Sequence, residues 1–332
     1  MVTSLGERGL APHDLFLVKT PHLTFQIEEH LGQGFTHGQV PTPLLLNDRV
    51  RIFFASRPRK NFSQTHFVDF DLELKTVLHV ETSPIVEVGN AGHFDEFGIM
   101  PDCAIRINPA TIFLYYSGWK SSETYPHENY TGLAISKDGG NSFEKYSSEP
   151  VLGKTKDDPF SATSCFVIRD GKGFQMFYSS GVSWMEIEGR LEHSYDIKCA
   201  WSSDGIKWDR NYEPIIKQRH KFEGLARPTV FRVKEQWIMI FSEMDIRDFR
   251  DGAGSYQLGC AISKDLRSWH RLESNAFRTL KNLPESCRMQ AYPYVCLVNG
   301  ELNLFYNGNS FGSAGFYASK IVINDLEQTN ER

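Results

Sequence analysis

Five stretches of the chain repeat one pattern, and that repeat constrains the fold more than any other feature of the sequence. Each is a short apolar run, a turn, and a second run that ends in paired aromatic or apolar residues. They read VPTPLLLNDRVRIFFASR, MPDCAIRINPATIFLYYSGW, ATSCFVIRDGKGFQMFYSSG, ARPTVFRVKEQWIMIFSEM and AYPYVCLVNGELNLFYNGN. Aligned on the last residue of each pair, the anchors are Phe54, Tyr116, Tyr178, Phe241 and Tyr306, with steps of 62, 62, 63 and 65 residues. A fixed period of this length marks a repeat architecture in which each copy is one supersecondary unit. A second motif falls between the anchors, in GLAISKDGGNSFEKY, KCAWSSDGIKWDRN and GCAISKDLRSWHRL. Its Asp138-Gly139 and Asp204-Gly205 pairs read as hairpin turns between two further strands. HFVDFDLELKTVLHV is a degenerate version in the first unit.

Each unit therefore supplies four antiparallel strands, and radial repetition of such sheets gives an all-β, five-bladed β-propeller. The expected blades are residues 36–90, 91–152, 153–216, 217–280 and 281–325 of a single domain, 1–332. The fifth unit ends after its third strand, GFYASKIVI, while an unassigned strand, residues 14–27, precedes the first unit. Pairing the two removes an exposed edge and closes the ring. An aromatic excess of 24 Phe, 13 Tyr and 6 Trp suits pleated surfaces, so Trp208 and Trp269 read as core between blades.

A formal charge of -5 with no basic stripe argues against nucleic acid as a partner. No apolar run approaches the roughly 20 residues of a spanning helix, and the N-terminus carries no leader of secretory type. The expected location is cytoplasmic. The six cysteines stand singly, mostly inside apolar runs, and read as buried free thiols in a reducing compartment.

The first strand of a blade lines the central channel, and its leading residues face one open end. Those residues are polar here: His37 and Gln39 in the first unit, Asp95 and Glu96 in the second, and Asp158 and Ser161 in the third. Arg227 follows in the fourth unit, and Glu285, Arg288 and Tyr292 in the fifth. Converging carboxylates suit glycosidic bond cleavage, which needs one protonated and one ionised acid. The candidate catalytic residues are thus Asp95, Glu96, Asp158 and Glu285. Arg227 and Arg288 are candidate anchors for an anionic group, and His37 and Gln39 for sugar hydroxyls, His37 being also a candidate base. Ser161, Tyr292 and the residues after the second strands, Arg57, Trp119, Asn307 and Asn309, complete the substrate-binding set. Trp184 joins Trp119 as a stacking platform, whereas the other histidines, His127 and His193 among them, read as surface or turn residues. No cofactor or metal motif occurs, and nothing indicates a calcium ion on the axis.

HFDEFGIMPDCAI with LYYSGW, DDPFSATSCFVI, LARPTVF and ESCRMQAYPYVCLVNGELNLFYNGNSFGSAGFYA resemble the five-bladed propeller glycosidase superfamily of arabinanases, xylosidases, fructosidases and mannoside phosphorylases. The match is closest to glycosidase-like propellers of bacterial surface-polysaccharide biosynthesis clusters. The arabinanase-like pattern implies a base Asp on blade one, a tuning Asp on blade two and an acid Glu on blade three. This chain has His37 and Gln39 at the first place and Asp157-Asp158 at the third, so only Asp95 or Glu96 carries over. The resemblance implies a glycan-active, glycoside hydrolase-like enzyme. The alternatives are a transferase using a nucleotide-activated donor and a non-catalytic carbohydrate-binding propeller. Sugar, linkage and oligomeric state stay open.

Overall fold

The computed structural model describes residues 15–58, 62–250, 252–273, 276–286 and 288–324. The fold is all-β. A first strand, β1 (Phe16–Gln26), precedes the repeats. The first group is β2 (Phe35–Leu45), β3 (Val50–Pro58), β4 (Gln64–Phe70) and β5 (Val77–Glu81). The second is β6 (Gly98–Arg106), β7 (Ile112–Lys120), β8 (Glu128–Ser136) and β9 (Glu144–Lys145). The third is β10 (Ser161–Asp170), β11 (Gly173–Ile187), β12 (Arg190–Ser202) and β13 (Asp209–Ile216). The fourth is β14 (Glu223–Val233), β15 (Gln236–Asp245), β16 (Gln257–Ser263) and β17 (His270–Leu272). The last is β18 (Ala291–Val298), β19 (Glu301–Asn307) and β20 (Gly315–Ile323). Within each group neighbours pair antiparallel in chain order, and a short parallel contact of Ser161 and Ala162 with Asn129 and Tyr130 joins the second group to the third. β1 pairs antiparallel with β20, as the spare and missing strands required. Residue 14 and residues from 325 onward lie outside the described residues, as does Cys287.

The anchors explain why the units stack. Phe54, Tyr116, Tyr178, Phe241 and Tyr306 are all 0% exposed. The residue before an anchor meets the outer aromatic of the following unit edge-on: Phe53 with Phe143, Tyr115 with Trp208, and Phe177 with Trp269. Such edge-to-face pairs contribute about 0.5–1.5 kcal/mol beyond their burial. Trp208 and Trp269 are thus core between units. The outer turns share one construction, in which Asp138, Asp204 and Asp265 accept backbone N–H bonds from the residues that follow. Gly139 and Gly205 take the left-handed φ of 77° and 76° that these turns need, and Leu266 adopts 62° in the copy that lacks the glycine. Cys103, Cys165 and Cys199 are buried free thiols, and Cys260 is buried.

The innermost strands touch in sequence: β2 meets β6, β6 meets β10, β10 meets β14, β14 meets β18, and β18 meets β2. Each carries a β-bulge at the same place, seen as a register shift beside Gln39, Pro101, Thr163, Ala226 and Ala291. Four of the bulge residues are left-handed without being glycine: Val40, Ser164, Arg227 and Tyr292, at φ of 53°, 52°, 50° and 57°. Each offers its N–H to the preceding unit, to the side chain just after that unit's anchor. Ser117 accepts from Ser164, Ser179 from Arg227, Ser242 from Tyr292, and Asn307 from Val40.

Asn307 does most at this seam, because its Nδ2 also donates to the carbonyls of Gly38 at 2.8 Å and Gly315 at 2.9 Å. Leaving a buried polar group unpaired costs about 1–3 kcal/mol. Asn307→Ala strands three backbone groups and should lower stability by at least about 3 kcal/mol, while Ser242→Ala, which strands one, should cost about 1–3 kcal/mol. Urea unfolding followed by tryptophan fluorescence checks this; equal losses in the two variants would contradict it.

Candidate functional site

The repeat brings five residues to equivalent places at the centre: Val40, Asp102, Ser164, Arg227 and Tyr292, spaced by 62, 62, 63 and 65 like the anchors. Val40, Asp102, Ser164 and Tyr292 line a cavity of about 490 Å³. Its wall comes from the ends of the second strands, with Arg57 and Trp119, and from two insertions in the repeat. One is the long hairpin of β11 and β12, which carries Trp184, Glu192, His193 and Tyr195. The other is the loop between β15 and β16, which carries Phe249, Arg250 and Tyr256.

Arg227 lies beneath this floor, 1% exposed. Its guanidinium donates to the carbonyls of Val40, Pro41 and Pro101, to Thr42 Oγ1 at 2.7 Å and to Asp102 Oδ1 at 3.2 Å. It is a tie between units rather than the anchor for substrate that its position in the sequence suggested. Asp102 Oδ2 accepts from Ser117 Oγ at 2.6 Å, and that oxygen in turn accepts the Ser164 N–H at 3.0 Å. Burial pushes the Asp102 carboxyl up to about 6, against the pull of Arg227 and Ser117.

Glu192 is buried and forms a bidentate ion pair with Arg250, its second contact at 3.0 Å. Beside it Trp184 is stacked between Tyr125 and His193, at centroid distances of 5.5 Å and 4.2 Å. His127 meets Trp184 edge-on at 5.0 Å. Burial lowers the pKa of His127 to about 4, with help from Arg250, and that of His193 well below its usual value, so both rings are neutral at pH 7. Both are wall residues of the cavity, a correction to their reading as surface or turn positions. Gly181 makes this wall fit, since a Cβ there would lie 2.3 Å from His193 Nε2 and 2.6 Å from Ser161 Oγ.

The leading carboxylates go elsewhere. Asp95 is bound by Tyr116 Oη at 3.0 Å and by Lys145 at 2.6 Å. Asp158 is bound by Lys198 at 3.0 Å and Arg210 at 2.7 Å, with Tyr178 and Ser180 adding hydroxyl bonds. Burial opposes the charge of Asp158, but the bonds from Ser180, Arg210 and Lys198 outweigh it and hold the carboxyl below its ordinary value. Glu223 repeats the device with Arg271 at 2.6 Å. Lys145, Arg210 and Arg271 lie on the fourth strands, so these acids fasten the leading loop of a unit to its outer edge. Glu96 accepts the Gly92 N–H in a turn, and the Glu285 carbonyl accepts the Asn309 N–H. None of Asp95, Glu96, Asp158 and Glu285 lines the cavity.

Of the expected binding residues, the structure brings Arg57, Trp119 and Tyr292 together at the cavity. Gln39 is buried, and Ser161 lies behind the aromatic wall against Gly181. Asn309 clamps a loop through the N–H groups of Arg288 and Met289, leaving the Arg288 side chain exposed. His37 bonds its neighbour Thr36, and burial followed by the charge of Arg57 lowers its pKa to about 4, which removes the near-neutral base expected there.

No family model matches the sequence. Two proteins of Mycobacterium tuberculosis, the uncharacterized protein MT1551 of strain CDC 1551 / Oshkosh and the uncharacterized protein Rv1502 of strain ATCC 25618 / H37Rv, are each 30% identical over 286 residues. The match spans 85% of this chain and 91% of each of them. The chain belongs to their family. Among solved structures, a thermostable family-43 glycoside hydrolase superimposes with a TM-score of 0.63 at 14% identity, covering 92% of this chain and 94% of that one. A structure from the GH130 family of mannoside phosphorylases gives 0.66 at 11%, covering 96% and 95%. The Bombyx mori family-32 β-fructofuranosidase gives 0.62 at 15%, covering 89% and 65%. The fold of the family is therefore that of the propeller glycoside hydrolases and mannoside phosphorylases. Among the described residues no helix is long and apolar enough to cross a membrane.

The raised Asp102 pKa has a consequence for stability. Its folded value of about 6 exceeds its ordinary 3.8, so between those values the folded chain binds more protons than the unfolded one. Stability should fall as pH rises from about 4 to about 6, and Asp102→Asn should lose that part of the slope. Urea midpoints of the two proteins across this range test it, and parallel curves would refute it.

Proposed function

We propose that the chain is a glycan-active enzyme of glycoside hydrolase type, built as one five-bladed propeller, with Asp102 and Glu192 as its acid and base. The observation that carries this is the cavity itself: these two are the carboxyl groups among its described lining residues, and their settings differ. Asp102 has a carboxyl raised to about 6, suited to giving a proton to a leaving oxygen. Glu192 is paired with Arg250 and acts as the carboxylate that activates water or attacks the sugar. Trp119 offers an aromatic surface to a pyranose ring. The innermost strands, each touching the next and the last touching the first, support a ring of five. The buried thiols support a reducing, cytoplasmic setting, and the sugar would belong to the metabolism of a cell-surface polysaccharide. This chemistry calls on no cofactor.

Incubation with a panel of oligosaccharides and nucleotide sugars, with product detection by mass spectrometry, tests the assignment. The expected result is release of free sugar, reduced by about 100-fold or more in Asp102→Asn and in Glu192→Gln while ligand binding persists. Product from nucleotide sugars alone would replace hydrolysis by group transfer. Binding by the wild type with no product would make the propeller a carbohydrate-binding module.

A further inference from the structure

Among the described residues the charges around the cavity do not cancel, and the remainder lies on one residue. Asp102 is matched by Arg227, and Glu192 by Arg250. Arg57 is left over. Among the described residues its guanidinium makes no hydrogen bond or ion pair, and its Nε is buried without a partner. Among the described residues no carboxylate acts on it: burial draws its pKa down, and the Tyr292 hydroxyl works the other way. Its uncompensated field reaches His37, whose proton it helps to expel. Arg57 is half-buried, and even partial withdrawal of a cation from water without a counter-charge is costly.

The position of Arg57 says what kind of ligand. It stands three residues past the anchor Phe54, and Trp119 stands three past Tyr116 in the next unit, so the two are equivalent neighbours on one wall of the cavity. Trp119 is fixed in that wall by its Nε1–H bond to Ser63 Oγ at 3.2 Å and by stacking on Phe97. A sugar ring on the indole would bring an exocyclic oxyanion to the guanidinium. We propose that Arg57 is a specificity-determining residue for an acidic sugar, one whose ring bears a carboxylate or phosphate, and that it binds this oxyanion through charge-assisted hydrogen bonds. The inference rests on the glycan-active reading of the same cavity and adds the charge of the substrate.

Isothermal titration calorimetry with glucuronate, glucose 6-phosphate, glucose and inorganic phosphate tests it on the full chain, Arg57→Ala and the bulkier Arg57→Gln, each first checked for an unchanged melting temperature. The wild type should bind one of the acidic sugars about 10- to 100-fold more tightly than glucose, the usual range for a hydrogen bond to a charged group. Both variants should lose that preference, binding the acidic sugars no more tightly than glucose, and rising salt should erode it in the wild type alone. The stronger acidic sugar identifies the oxyanion, and competition by inorganic phosphate identifies phosphate. Equal affinity for glucose and both acidic sugars, or a preference that survives in both variants, would overturn the assignment while leaving a neutral-sugar enzyme intact. Failure of every sugar to bind would instead remove the glycan reading on which it rests.

Discussion

The central seam depends on a backbone conformation that side chains normally avoid. Four innermost strands each turn one non-glycine residue left-handed at the bulge, and a residue held there costs of order 1–3 kcal/mol unless its surroundings over-determine it. The over-determination is visible, since each of those N–H groups is accepted by the side chain just after the anchor of the preceding unit. The fifth seam is the informative exception. There the residue after the anchor is Ala55, which has no acceptor, and the bulge residue is Asp102, which is not left-handed. Thr42 Oγ1 donating to the Pro101 carbonyl, and Arg227 bridging Val40, Pro41 and Thr42 to Pro101 and Asp102, hold that seam instead. A missing acceptor and a relaxed backbone occur together because the strained form would otherwise leave a buried N–H unpaired.

This arrangement also accounts for what could be read in advance. The step of 62 to 65 residues located the anchors, the hairpin turns, the aromatic contacts between units and the partner of the spare N-terminal strand. Applied to the inner strands, the same step aligns Val40, Asp102, Ser164, Arg227 and Tyr292, so the cavity floor was present in the numbering. The leading acids drew attention because they are polar where a strand should be apolar. Their true partners were also legible: Lys145, Arg210 and Arg271 each stand two residues past the outer aromatic, Phe143, Trp208 and Trp269. An acid and a base that recur together in successive units belong to the scaffold, since a single substrate cannot use them all.

The cavity wall was harder to foresee because it is made where the repeat fails. From anchor to the alanine that opens the outer motif takes 18 residues in the second unit, 22 in the third and 20 in the fourth. The extra residues of the third unit lengthen β11 and β12 and carry Trp184, Glu192 and His193 over the opening. Those of the fourth supply Arg250. Residues in the repeat are constrained by stacking against two neighbours. Residues in the insertions escape that constraint.

Arg227 links these two parts of the molecule. A guanidinium so fully enclosed requires a negative partner, and the nearest carboxylate is Asp102, which is also part of the cavity floor. The proton on Asp102 is therefore governed by the axis as well as by whatever occupies the cavity. A ligand that excludes water from the floor strengthens the attraction of Arg227 for the carboxylate and, by the same loss of solvent, disfavours its charge. Which effect prevails depends on the ligand's own charge. An anionic ligand close by opposes ionisation of Asp102 and so keeps the proton where an acid needs it, whereas a neutral ligand lacks that influence. Under the reading proposed above, the unmatched cation that would hold an acidic sugar would thus bring negative charge into the cavity that the proposed acid lines, coupling recognition of the substrate to preparation of the acid.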